Sequence, residues 1–261
     1  MKIEIYGNEK RNLIKVIKKK YSQNFEILNR QSKLKPDIIV CYGGDGTLLV
    51  AERTEPGIPK VIIRNSQICD KCRDESRDAI LRLLSENKFY FSKHYKIEAI
   101  FKQKKIVGLN DVIIAHARFN TALRFRVYID GLPYGGEFLG DGIVVATPIG
   151  STAYYQAITR SNFQEGIGLA FNNTVNSIGH IVLNEKTKIR IKITRGPGML
   201  MFDNDLKRIY LKEQDEIFIQ RSNQVANLVD FYSPYRELNI DISKNRLPLG
   251  YCQVCRKHYR N

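Results

Sequence analysis

The sequence predicts an N-terminal α/β domain, Rossmann-like with a parallel sheet, followed by an antiparallel all-β C-terminal domain. Three observations carry this expectation. Strand-like and helical runs alternate up to about Phe89. Beyond that point the hydrophobic period changes from helical to two. The chain of 261 residues, 43% hydrophobic and 26% charged, is long enough to bury two ordinary cores and too apolar to be disordered.

In chain order, Lys2–Tyr6 alternates charged and apolar side chains like a first strand and unlike a signal peptide. Strands are also expected at Phe25–Leu28, Ile38–Tyr42 and Lys60–Arg64. Helices are expected at Asn12–Tyr21, Thr47–Arg53 and Asp74–Asn87, the last with Ala79, Ile80, Leu83 and Leu84 as its apolar face. Such an order winds helices about a parallel sheet, with ligands beyond the carboxyl ends of the strands. In the second half, Leu123, Phe125, Val127 and Ile129 alternate with polar neighbours before an Asp130-Gly131 hairpin turn. Ile189, Ile191 and Ile193 repeat the pattern, and short strands follow at Met199–Asp203, Lys207–Leu211 and Glu216–Gln220. After about Phe231 the pattern is irregular. The expected boundaries are residues 1–90 for the first domain, joined by a tail at 232–261, and 91–231 for the second.

A net charge of +15 points to an anionic partner, either nucleic acid or a phosphorylated small molecule. The basic residues are scattered, and clusters such as Lys18-Lys19-Lys20 and Lys102 to Lys105 read as solvated faces. With no recognisable nucleic-acid module, no nucleic-acid partner is expected. No apolar run approaches the roughly 18 residues needed to cross a bilayer, so no membrane role and a cytoplasmic location are expected.

Cysteines form two CxxC pairs, Cys69/Cys72 and Cys252/Cys255, each with zinc-ligand spacing. A shared structural zinc would require the C-terminal tail to return to the first domain; free thiols or disulfides are the alternatives. Cys41 lies in an apolar strand and reads as a small core residue.

The most informative stretch is Gly43-Gly44-Asp45-Gly46-Thr47, between the apolar run Ile38–Tyr42 and a helix start. A buried strand, a glycine turn and a helix N-terminus together form a phosphate cradle. Asp45 repels phosphate there unless it holds magnesium or accepts a proton from an attacking hydroxyl; alternatively it caps the helix. No GxxxxGK[ST] motif occurs, so a P-loop kinase is excluded. A second unusual stretch runs from Gly140-Asp141-Gly142 through the strand Ile143–Ala146 into Thr147-Pro148-Ile149-Gly150-Ser151-Thr152-Ala153-Tyr154. Small residues let a flat ligand lie against the backbone, and Tyr154 can stack on a ring or bond a ribose. Its alternative is a helix start capped by Ser151 or Thr152.

In this order, together with Asn110-Asp111, these segments resemble the NAD kinase family over most of the chain. The resemblance implies transfer of a phosphoryl group from ATP or polyphosphate to the 2′-hydroxyl of the adenosine ribose of NAD, giving NADP. It also implies magnesium or another divalent cation, and a homo-oligomer, dimer or tetramer. Asp45 would be the base, or would orient that hydroxyl. Gly43, Gly44, Gly46 and Thr47 would cradle donor phosphates. Asn110 and Asp111 would bind the diol, and Asp141, Thr152, Ala153 and Tyr154 would line the dinucleotide pocket. Departures from the family pattern fall at Ile149, where a small hydroxyl residue is usual, at Arg160-Ser161, in the Ser66–Cys72 loop, and at Asp203-Asn204-Asp205, which matches an Asp-Gly turn only loosely. Lipid or sugar kinases sharing GGDGT are the rival enzymes, and a basic nucleic-acid-binding protein is the rival outside them.

Overall fold

Apolar β-branched runs and amphipathic helices succeed one another from the first residue, and a computed structural model shows how they assemble. It describes residues 1–30, 32–65, 74–118, 120–175 and 178–231, and the backbone of 250–251 and 258–259. The chain divides into two compact units: Met1–Lys93 with the described residues from Asn227 onward, and His94–Ala226.

The first unit contains β1 (Lys2–Tyr6), α1 (Lys10–Lys20), β2 (Glu26–Leu28), β3 (Ile38–Tyr42), α2 (Asp45–Thr54), β4 (Lys60–Ile63) and α3 (Asp74–Ser85). Its strands pair in parallel in the order β2-β1-β3-β4. β3 is buried on both faces, which explains its unbroken apolar run. Leu13 and Ile17 of α1 pack with Ile3, Val40, Ile63 and Leu84 in one core, while Lys18, Lys19 and Lys20 are exposed. The α3 face differs from expectation. Leu81 and Leu84 are buried, whereas Ala79 and Leu83 are only half-buried, so the stripe is rotated about the helix toward Leu81. Behind the sheet, Lys60 of β4 is fully buried and its Nζ lies 2.5 Å from the buried Glu52 carboxylate of α2. The same Nζ donates to the Glu55 carbonyl at the end of that helix.

The second unit is antiparallel. It opens with β5 (Tyr90–Phe101), most of which lies here, and β6 (Lys104–Gly108). Then come β7 (Asp111–His116), β8 (Leu123–Ile129), β9 (Leu132–Gly140) and β10 (Gly142–Ala146). A 3-10 turn (Gly150–Thr152) leads into α4 (Tyr154–Thr159). The remaining strands are β11 (Ile167–Asn172), β12 (Ile181–Leu183), β13 (Ile189–Arg195), β14 (Gly198–Phe202), β15 (Ile209–Leu211) and β16 (Glu216–Asp230). One sheet runs β12-β11-β10-β7-β14-β15, and the pairing β16-β13-β8-β9 forms the other. Ile143 and Val145 of β10 share a core with Phe125 and Val127 of β8 and Ile191 of β13. On the opposite face of β10, Val144 and Ala146 pack against Tyr155 of α4. The Asp130-Gly131 turn joins β8 to β9 with both residues at positive φ, as a tight hairpin requires.

The expected fold class holds in both units. β16 is longer than expected, because it continues to Asp230 and Leu228 pairs in parallel with Lys60.

Candidate functional site

In the first unit, parallel registration sets β3 and β4 side by side with Tyr42 opposite Ile63. Their carboxyl ends therefore present Gly43 and Arg64 together, and the Gly43 N–H donates to the Ile63 carbonyl at 3.0 Å. Gly44 is the N-cap of α2 in extended conformation, and Asp45 is the first helical residue. No side chain caps this helix, so Asp45 does not act as a cap. Its carboxylate is 58% exposed and accepts from the Arg64 guanidinium, Nη2 to Oδ1, at 2.9 Å. A solvent-facing carboxylate steered by a cation at a helix N-terminus is available to an incoming hydroxyl or metal ion. Next to it lies a cavity of about 360 Å³ lined by Tyr6, Gly7, Lys10, Arg30, Gly46 and Thr47, among others. The Arg30 guanidinium rests 4.2 Å from the centre of the Tyr6 ring. Two cations beside a helix N-terminus suit an anionic group. Neither Arg64, Lys10 nor Arg30 is singled out by sequence reasoning, although Arg64 directly follows the fourth strand, where a ligand-facing residue belongs.

In the second unit, three segments far apart in sequence meet at Leu109–Asp111. The Asp203 carboxylate, just past β14, accepts the backbone N–H groups of Leu109 at 2.9 Å, Asn110 at 2.7 Å and Asp111 at 3.3 Å. From the other side, the buried Thr147 hydroxyl donates to the Leu109 carbonyl at 2.6 Å, and the Thr147 N–H to the Asn110 carbonyl at 2.9 Å. Gly150 lies so close that a Cβ there would sit 2.0 Å from the Asn110 carbonyl oxygen, so no side chain fits. Asn110 and Asp111 are both nearly fully buried. Burial, and next the Asp203 charge, raise the Asp111 carboxyl to about 7 from its ordinary 3.8; a hydrogen bond from the Asp203 backbone partly offsets this.

Asp141, between β9 and β10, accepts from the Asn173 amide at 3.2 Å and lies 3.9 Å from His116 Nε2. His116 donates through Nδ1 to the Arg118 carbonyl at 2.8 Å. Tyr154 is 40% exposed, and its hydroxyl accepts from the Asn172 amide at 3.1 Å. The alternative reading of Ser151 and Thr152 as helix caps does not hold. Ser151 donates to the carbonyls of Pro148 and Phe163, Thr152 donates to that of Ile149, and Ala153 is the N-cap of α4 without a capping bond. Structure thus brings Thr147, Gly150 and Asp203 together around the Leu109–Asp111 turn, and links Asp141 and Tyr154 to neighbouring asparagines of β11 and its end.

Cys69, Cys72, Cys252 and Cys255 lie outside the described residues. Among those described, no group of three or more His, Cys, Asp or Glu side chains is placed to hold a metal. No described helix is long and apolar enough to cross a membrane.

Residues 109–231 match the family model of the ATP-NAD kinase C-terminal domain. An NAD kinase of Caldicellulosiruptor bescii is 36% identical over 138 residues, 50% of this chain and 52% of the relative. One from Clostridium beijerinckii is 30% identical over 54% of this chain and 55% of the relative. The chain thus spans about half the length of these curated relatives. An NAD kinase of Sulfurisphaera tokodaii is 27% identical over 76% of this chain and 82% of its own. Among solved structures, an NAD kinase from Archaeoglobus fulgidus in complex with ATP superposes with a TM-score of 0.71 at 18% identity, covering 91% of this chain and 97% of that one. Yeast NADH kinase complexed with NADH gives 0.73 at 17%, over 95% and 89%. The matched domain spans the Asp203-bound turn, the Asp141 loop and the segment ending at Tyr154, and over these residues the chain is similar to the NAD kinases.

Proposed function

We propose that this protein is an NAD kinase, transferring a phosphoryl group from ATP or polyphosphate to the 2′-hydroxyl of the adenosine ribose of NAD. The observation that carries the proposal is the pairing of two features in one chain. One is an exposed, cation-steered carboxylate at a helix N-terminus. The other is a buried Asn-Asp turn locked to the segment ending at Tyr154. A kinase needs the first to receive a proton and the second to recognise a diol.

In this reading Asp45 accepts the 2′-hydroxyl proton as the oxygen attacks the terminal phosphorus, or orients that hydroxyl. Arg64 holds the carboxylate in place. Gly43, Gly44, Gly46 and Thr47 offer backbone and hydroxyl groups to the donor phosphates, and Lys10 and Arg30 balance their charge. Asn110 and Asp111 bind the ribose diol and base edge, and Tyr154 covers the dinucleotide with Thr152, Ala153 and Asp141 around it. Magnesium fits an exposed Asp45, since this ion keeps several waters and takes one or two carboxylates plus substrate phosphates. It would supply neutralisation of phosphate charge. The ATP and NADH bound by the two solved relatives support these ligand classes. A homo-oligomer in the cytoplasm is part of the same proposal.

The test is incubation with NAD, magnesium and either ATP or polyphosphate, with NADP read by an NADP-specific dehydrogenase. NADP formation that depends on both substrates is expected; none with any donor would overturn the proposal.

A further inference from the structure

A buried carboxyl beside a half-buried one is a costly way to fasten a turn. Asp203 receives three successive backbone N–H groups, a task that an asparagine or serine oxygen performs in part without adding a charge. It sits at positive φ (45°), a region sparsely used outside glycine, and its own N–H donates to the Asp111 carbonyl at 3.0 Å. The turn is thus fastened to the segment after β14 in both directions, while Thr147 fastens the carbonyls of Leu109 and Asn110. Costs of this kind concentrate at functional sites.

We propose that Asp203 is a positioning residue for dinucleotide recognition, fixing the Leu109–Asp111 turn so that Asn110 and Asp111 meet the ribose diol in one geometry. The inference rests on the reading of Asn110 and Asp111 as diol ligands. Asp203 also adds to the effect of burial on the charge state of Asp111. β10 sets Ala146, which is not ionisable, opposite Asp111, and among the described residues the charged group acting on Asp111 is Asp203. Burial, and next repulsion from Asp203, hold back ionisation of Asp111, so acceptance of hydroxyl donors by an ionised Asp111 sets in near pH 7.

Asp203→Asn keeps the shape and an acceptor oxygen while removing the charge; Asp203→Ala removes both. Three readouts separate positioning from plain structural support. The Asp111 carboxyl, followed by carbon NMR in the ligand-free protein, should titrate near pH 7 in the parent and lower in Asp203→Asn. NAD affinity by calorimetry, which needs no turnover, should fall roughly 10-fold in Asp203→Asn and further in Asp203→Ala. Its pH midpoint in Asp203→Asn should move down with the NMR titration. The KM for the phosphoryl donor should stay within about 2-fold of the parent. A folded Asp203→Asn with parental NAD affinity and an unmoved Asp111 titration would overturn the inference. A parent that binds NAD but yields no NADP would instead overturn the kinase reading and leave this one standing.

Discussion

Replacing Asp111 by asparagine should make the protein more stable at alkaline pH and worse at binding NAD. Asp111 is 4% exposed and faces Asp203, and its carboxyl is raised from 3.8 to about 7. The folded state therefore keeps a proton that the unfolded chain has already lost between roughly pH 4 and 7. Stability from this site is fully present below pH 4, declines as pH rises, and is gone above about pH 7. Between pH 5 and 7 the loss spans two units, worth about 2 to 3 kcal/mol at ~1.4 kcal/mol per unit. Asparagine does not ionise, so relative to the parent the variant should gain that amount between pH 5 and pH 8. For a domain of this size the gain corresponds to roughly 5 to 10 °C in Tm. Thermal unfolding of parent and variant at pH 5, 6, 7 and 8 provides the measurement. A difference in Tm that stays constant across the series would refute the reasoning, since it would mean that Asp111 ionises freely in the folded protein. In the same samples, calorimetry should show NAD affinity weakened about 10-fold or more, because an amide replaces the ionised acceptor.

Other perturbations address the rest of the molecule. Asp45→Asn should lower turnover by roughly 10²–10⁴ with little change in NAD affinity, and a folded variant with near-parental NADP formation would remove Asp45 from the chemistry. Gly150→Ala places a Cβ 2.0 Å from the Asn110 carbonyl oxygen, so steady-state kinetics should show a raised KM for NAD and calorimetry a lower Tm; unchanged values would contradict the close approach. Lys60→Met removes the buried ammonium beside the Glu52 carboxylate and should cost about 3 to 5 kcal/mol in denaturant unfolding, whereas a cost under about 1 kcal/mol would show that Glu52 is readily hydrated or neutralised. If the two CxxC pairs share zinc, metal analysis of protein purified without chelators should find about one zinc per chain, and a metal-free preparation would leave thiols or disulfides.

Local sequence determined what depends on neighbours along the chain. Continuous apolar runs such as Ile38–Tyr42 and alternating ones such as Leu123–Ile129 marked strands, because burial on two faces or one leaves that pattern. The Asp130-Gly131 turn and the glycines flanking Asp45 were legible for the same reason, as backbone geometry there is a property of two or three residues. Only tertiary structure decided which distant groups share a site. Arg64 reaches Asp45 because parallel register sets two strand ends together. Asp203 reaches the Asn110-Asp111 turn because β14 pairs with β7 across more than eighty intervening residues. The same non-local pairing carries β16 to Asp230, beyond the strand that its alternation suggested. Packing also turned the buried stripe of α3 toward Leu81, since the surface a helix meets, and not its own periodicity alone, selects among adjacent apolar positions. Hydrogen-bond partners and desolvation belong to the assembled fold, so the raised carboxyl of Asp111 had no signature in the chain.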